Sequence, residues 1–160
     1  MAAFTGTPVK SVEYTTQTAG AGSRLQVDTI AKMHIGRFSY THAAGAGTGE
    51  INLLELPAGK LTIYSDLSRI VTSQFAANAD LHLGYRAYTS SANAAVVEDD
   101  NAFLDNGDAG GAALDAAWVL PAGGTTQIDS RNGVVLYAMV DTGNIEDGDT
   151  IAGWVAYTRG

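Results

Sequence analysis

The chain has 160 residues, of which 46% are apolar and 16% charged, enough for one domain with a true hydrophobic core and too apolar for general disorder. Nine Lys and Arg against 17 Asp and Glu leave a formal net charge of −8, and a surface of that sign repels phosphate backbones and anionic headgroups. The expectation is therefore no nucleic-acid partner and no membrane partner. Cys is absent, which excludes disulfides and thiolate zinc sites.

Residues 1–8 lack the basic flank and continuous apolar stretch of a signal peptide, and nowhere do 18 uncharged apolar residues run together, so synthesis in a cytosol is expected. Residues 1–23 are Thr, Ala, Gly and Ser with scattered Val and Tyr. Such a segment cannot build a core alone; it reads as an extended N-terminal arm that either lies along another subunit or frays. Residues 24–160 read as a single β-sandwich domain.

Gly20-Ala21-Gly22 at the end of the arm, and Gly45-Ala46-Gly47-Thr48-Gly49 and Gly107-Asp108-Ala109-Gly110-Gly111 within the domain, read as loops. Segments in which apolar and polar residues alternate predict strands at 25–27, 30–41, 51–56, 61–64, 80–89, 126–128, 134–140 and 150–158. In the fifth, Leu81, Leu83, Tyr85 and Ala87 share one face while His82, Arg86 and Tyr88 take the other. Residues 134–140 are apolar on both faces, as for a central strand covered by a second sheet on one side and by a loop or neighbouring subunit on the other. After Asp66, Leu67, Ile70, Val71 and Phe75 fit a capped helix, while Leu67, Arg69, Val71 and Phe75 also fit a strand with one charged gap. Residues 112–117 fit a short helix.

An internal echo runs through this pattern. Leu56-Pro57-Ala58-Gly59 recurs as Leu120-Pro121-Ala122-Gly123, and Gly84-Tyr85-Arg86-Ala87-Tyr88-Thr89 as Gly153-Trp154-Val155-Ala156-Tyr157-Thr158, with a looser copy from Gly36 to Thr41. Either turn and strand grammar repeats its few words, or two related runs of antiparallel strands form the two sheets of a sandwich. Both point to an all-β fold.

The search for chemistry returns little. His34 and His42 lie eight apart, roughly 27 Å along a continuous strand and too far to share a metal. Their plain role, like that of His82, is a solvated or hydrogen-bonded ring. The acidic run from Glu98 to Asp108 offers oxygen ligands of the kind calcium prefers, but without the EF-hand spacing it reads as solvated turn carboxylates, as does Glu146-Asp147-Gly148-Asp149. No Gly-x-Ser-x-Gly elbow is present, and Gly45 to Glu50 lacks the Lys of a phosphate loop. These readings predict a protein with no catalytic site, no cofactor and no metal.

The order of a Leu-Pro-Ala-Gly turn, Ile63 to Val71 with Ser68-Arg69-Ile70, Asp80-Leu81-His82-Leu83-Gly84-Tyr85, an acidic Ala-rich excursion and Asp147-Gly148-Asp149-Thr150-Ile151 resembles the capsid decoration, or cement, proteins of tailed bacteriophages. The resemblance implies an antiparallel, jelly-roll-like β-sandwich, commonly trimeric, on the exterior of a virion. There it would bind the major capsid protein and stabilise the shell, with the arm reaching a neighbour. Phe4, Val9, Val12 and Tyr14 are then expected at the capsid or inter-subunit contact, Trp118 at a subunit interface and Trp154 in the core. Two alternatives stay open: another phage structural component (head fibre or tail protein), and a carbohydrate-binding sandwich using Tyr88, Trp118 or Trp154 as a stacking platform.

Overall fold

A computed structural model describes residues 5–6, 9–10, 33–43, 45–119 and 124–160. The chain forms β1 (Thr5–Gly6), β2 (Val9–Lys10), β3 (Met33–Thr41), β4 (Gly47–Leu56), β5 (Gly59–Thr72), β6 (Asp80–Tyr85), β7 (Tyr88–Thr89), β8 (Ala95–Val96), β9 (Asp99–Asp108), β10 (Asp115–Ala117), β11 (Thr125–Ser130), β12 (Val134–Ile145) and β13 (Thr150–Arg159). The front sheet has the order β1-β4-β12-β6-β9, with β2 also on β4; the back sheet runs β10-β5-β13-β3, with β11 also on β5. From β3 to β6 and again from β9 to β13 the chain passes back and forth between the sheets, which is jelly-roll connectivity. The expected all-β sandwich is therefore the observed fold.

The core lies between the sheets. Ile51, Leu54, Leu56, Leu81, Leu83, Leu136, Ala138 and Val140 face it from the front, and Phe38, Leu61, Ile63, Ile70, Ile151, Val155 and Tyr157 from the back. Alternation explains most of these strands, with an irregularity in β4. There Leu136 pairs with Leu54 and Tyr137 with Asn52, so Leu53 is an extra residue that returns Leu54 and Leu56 to the inner face.

Four expectations change, the first being that Gly47-Thr48-Gly49 and Gly107-Asp108, expected in loops, are strand residues of β4 and β9. The stretch left between helix and strand is strand to Thr72, interrupted by a bulge: Trp154 pairs with Arg69 and Ala156 with Tyr64, so residues 65–68 stand opposite Val155 alone. Those added residues shift the apolar phase, and the shift imitates helical spacing. The acidic run expected as turn is the edge strand β9, held against β6, and its carboxylates discourage further pairing at that edge. The segment 112–117 contains no helix; its end is β10, paired with residues 69–71 of β5. The expected strand at 25–27 and the second Leu-Pro-Ala-Gly turn lie outside the described residues.

The bulge in β5 is closed by side chains. Ser68 Oγ donates to Tyr64 O at 2.6 Å and accepts from Ala156 N at 2.9 Å, and Trp154 Nε1 donates to Leu67 O at 2.9 Å. Beyond it the chain changes sheets: Trp118 N donates to Ser68 O of the back sheet and Val119 N to Phe103 O of the front. This crossing drives Trp118 between the sheets, its ring 5.0 Å from that of Phe103.

The echoed segments share a physical feature. A Cβ on Gly84 would lie 1.8 Å from Asp99 O, and one on Gly153 2.2 Å from Arg69 O. Each glycine lets a bulged neighbour approach: residues 100–103 of β9 stand opposite Gly84, and the β5 bulge lies two residues past Gly153. Gly84→Ala should therefore cost about 3 kcal/mol of stability, whereas Gly45→Ala, where nothing lies within 4 Å, should stay within about 0.5 kcal/mol. Urea unfolding of the two variants checks the contrast.

Candidate functional site

Two surfaces on opposite faces of the sandwich carry the unusual chemistry. On the outer face of the front sheet, Arg86 lies over the Tyr137 ring with its guanidinium carbon 3.9 Å from the centroid. Arg86 Nη1 is 2.5 Å from Glu50 Oε2 and 3.5 Å from Glu98 Oε2, and Nε donates to Asn52 Oδ1 at 3.0 Å. One cation thus ties together three carbonyl-bearing side chains and an aromatic ring, an arrangement that holds charge without leaving it unpaired.

Beside this network, His82 is 7% exposed although it points away from the core. Its Nδ1 lies 3.3 Å from Asp105 Oδ1 and its Nε2 3.4 Å from Asp141 Oδ1, within ion-pair reach though outside hydrogen-bond geometry. The two carboxylates flank opposite ring nitrogens. They do not converge on a common point, and among the described residues no group of three or more His, Asp or Glu is placed to hold a metal ion. The remaining acids of β9 are the consecutive Asp99 and Asp100 near one end of the strand and Asp108 at the other.

The outer face of the back sheet is different in kind. Arg37, Ser39, Val71, Ala152, Gly153 and Trp154, with Phe38 beneath, line an open groove of about 680 Å³ whose walls are mostly apolar. Register explains the grouping, since Trp154 pairs with Arg37 on one side and Arg69 on the other, and Ala152 with Ser39 and Val71. Arg69 is held by Asp115 at 2.5 Å, and its guanidinium keeps the Asp115 carboxyl below the usual carboxylate range. Arg37 is exposed and has no ion-pair partner among the described residues. Exposed Leu67 and Val71 add apolar surface nearby.

These strands and strand crossings place the chain among known structures. It is similar to a chain in the capsid of Ralstonia phage GP4, with 17% identity and a TM-score of 0.65 over 99% of this chain and 99% of that one. The fold the two share is an antiparallel, jelly-roll-like β-sandwich. A chain of the cyanophage Pam1 capsid asymmetric unit gives 12% identity and a TM-score of 0.49 over 82% and 86% of the two chains. No family model and no curated protein sequence matches.

The residues expected at interfaces fare unevenly. Phe4, Val12 and Tyr14 lie outside the described residues. Val9 belongs to β2, whose backbone runs parallel to β4 in register with Leu54, so this part of the arm lies on the protein's own front sheet. The tryptophans are reversed. Trp118, expected at a subunit interface or as a stacking platform, is 2% exposed and packs inside, because the crossing between β10 and β11 carries it there. Trp154, expected in the core, is half-buried on the groove, on the face opposite Ile151, Val155 and Tyr157. His34 stacks on Tyr157 at 5.3 Å and His42 meets the Tyr40 hydroxyl at 2.9 Å, both in structural roles.

The Arg86 network was not expected from sequence, and neither was the groove; strand parity in β3, β5 and β13 marks the latter only once their order in the sheet is known. Burial of Tyr137, reinforced by Glu98, Asp100 and Glu50 against the opposing effect of Arg86, pushes its phenol up to about 12. A folded-state value above the unfolded one of 10.0 means that this contribution is complete below pH 10 and disappears as pH rises towards 12. Tyr137→Phe should therefore flatten the fall in stability between pH 10 and 12, as measured by urea unfolding at each pH, relative to the parent chain.

Proposed function

We propose that this chain is a virion structural protein that binds the outer surface of a capsid as a homo-oligomer, expected as a trimer, and stabilises the shell as a decoration protein. The observation that carries the reading is the mutual 99% coverage with a chain of the GP4 capsid: the likeness spans two whole chains of equal extent and not one shared motif. Two further features support it. The surface acids fit an exterior position away from packaged nucleic acid, and the back sheet keeps apolar side chains in solvent that a partner would cover.

In this reading the mechanism is mass action. A protein that binds the assembled shell better than its free subunits stabilises the shell by its binding free energy, repeated over many copies. The partner is the major capsid protein. Phe4, Val9, Val12 and Tyr14 are proposed as apolar anchors of the arm in that contact, and no cofactor or catalytic step is involved.

Cryo-electron microscopy of particles purified from cultures producing the chain tests the reading. The protein should appear on the outer surface, and particles stripped of it should release nucleic acid at lower temperature than decorated ones. Absence from particles, or a place inside the shell, would overturn it.

A further inference from the structure

The groove on the back sheet has a counterpart elsewhere on the same molecule. Its floor is Ala152 and the backbone of Gly153, where the small Ala152 side chain leaves room for a branched one between Val71 and Trp154, and Arg37 stands at its rim with no carboxylate beside it among the described residues. An occupant matching this surface carries an exposed apolar side chain followed closely by acids. The most exposed large apolar side chain among the described residues is Val97, at 78%, and the residues after it are Glu98-Asp99-Asp100.

We propose that the Val97 loop of one copy seats in the back-sheet groove of the next, with Val97 over Ala152 and Gly153 and the following acids facing Arg37. Of the other exposed apolar residues, Leu67 also has a neighbouring acid, Asp66, but both belong to the bulge at the groove's own rim. Val119 has no acid adjacent to it in sequence. The Val97 loop leads into β9, and Glu98 reaches Arg86 on the outer face of the front sheet, across the sandwich from the groove. Loop and groove on opposite faces cannot meet within one copy. The contact is therefore head-to-tail, and it closes into a ring or continues as a filament according to the rotation between copies.

The inference deepens the homo-oligomer part of the proposed function, and it is tested without particles. Light scattering and sedimentation velocity on the full chain, up to about 100 μM, should show concentration-dependent association, because one loop-in-groove contact is small. Val97→Asp and Arg37→Glu alter exposed side chains, so circular dichroism and thermal melting should match the parent. Each alone should raise the concentration for half-association by about tenfold or more.

The diagnostic step is to mix the two variants. Val97→Asp keeps an intact groove and Arg37→Glu an intact loop, so an equimolar mixture should form two-chain species and nothing larger. A parent chain that stays monomeric, variants that associate like the parent, or a mixture that forms no pair would each overturn the proposal. Particle binding that survives Arg37→Glu would leave the decoration reading standing while the contact fails.

Discussion

The interruption of β5 at residues 65–68 is the constraint on which most of this structure depends. A strand that loses its ladder in the middle of a sheet exposes backbone donors and acceptors that have to find other partners. Here Ser68 supplies both a donor and an acceptor, and Leu67 O receives the indole of Trp154. The bulge also divides what would be one neighbouring strand, so that β11 pairs with residues 59–64 and β10 with residues 69–71. The chain between them is released to cross the gap between sheets and insert Trp118 against Phe103. Close packing at this side of the core and the relief on the outer face thus have one origin.

The two faces acquire different characters from the same logic. On the front, bulging of β9 brings Asp99 O against Gly84, and the strand places Asp105 beside His82. Arg86 and the surrounding carboxylates then cover Tyr137, an aromatic ring that points away from the core. That face is closed by its own side chains. On the back, Trp154 is tied down at the bulge and the nearest outward side chain along its strand, Ala152, is small, so the sheet is left with a depression that no described residue fills.

How legible this was depends on whether a strand kept its period. Strands β6 and β13, and β4 apart from its one extra residue, follow alternation, and a half-buried pleated surface imposes that pattern on sequence directly. The bulge in β5 hides a strand because residues 65–68 move Ile70 out of phase with Ile63, and Leu67, Ile70 and Val71 then share a helical spacing. In β9 the obstacle is propensity: Asp99, Asp100, Asn101 and Asp105 disfavour strands locally, and only pairing with β6 overrides them. Trp118 sits on a crossing with no period, so nothing in its neighbourhood marks it as interior. Trp154 was readable, since Ile151, Val155 and Tyr157 claim the opposite face.

The candidate site follows the same division. A groove formed by outward residues of β3, β5 and β13 requires the strand order, and the jelly-roll crossing that puts β13 between β3 and β5 cannot be read from any one segment. Once that order is known, the surface follows from parity alone: Arg37, Trp154 and Arg69 form one cross-strand row, and Ser39, Ala152 and Val71 the next. In that row Asp115 of β10 neutralises Arg69, and β3, at the far edge, brings no acid to Arg37. A carboxylate at either strand end would have closed the surface as the front face is closed. Among the described residues no carboxylate stands beside Arg37, which leaves that cation open to a complement carried by another copy.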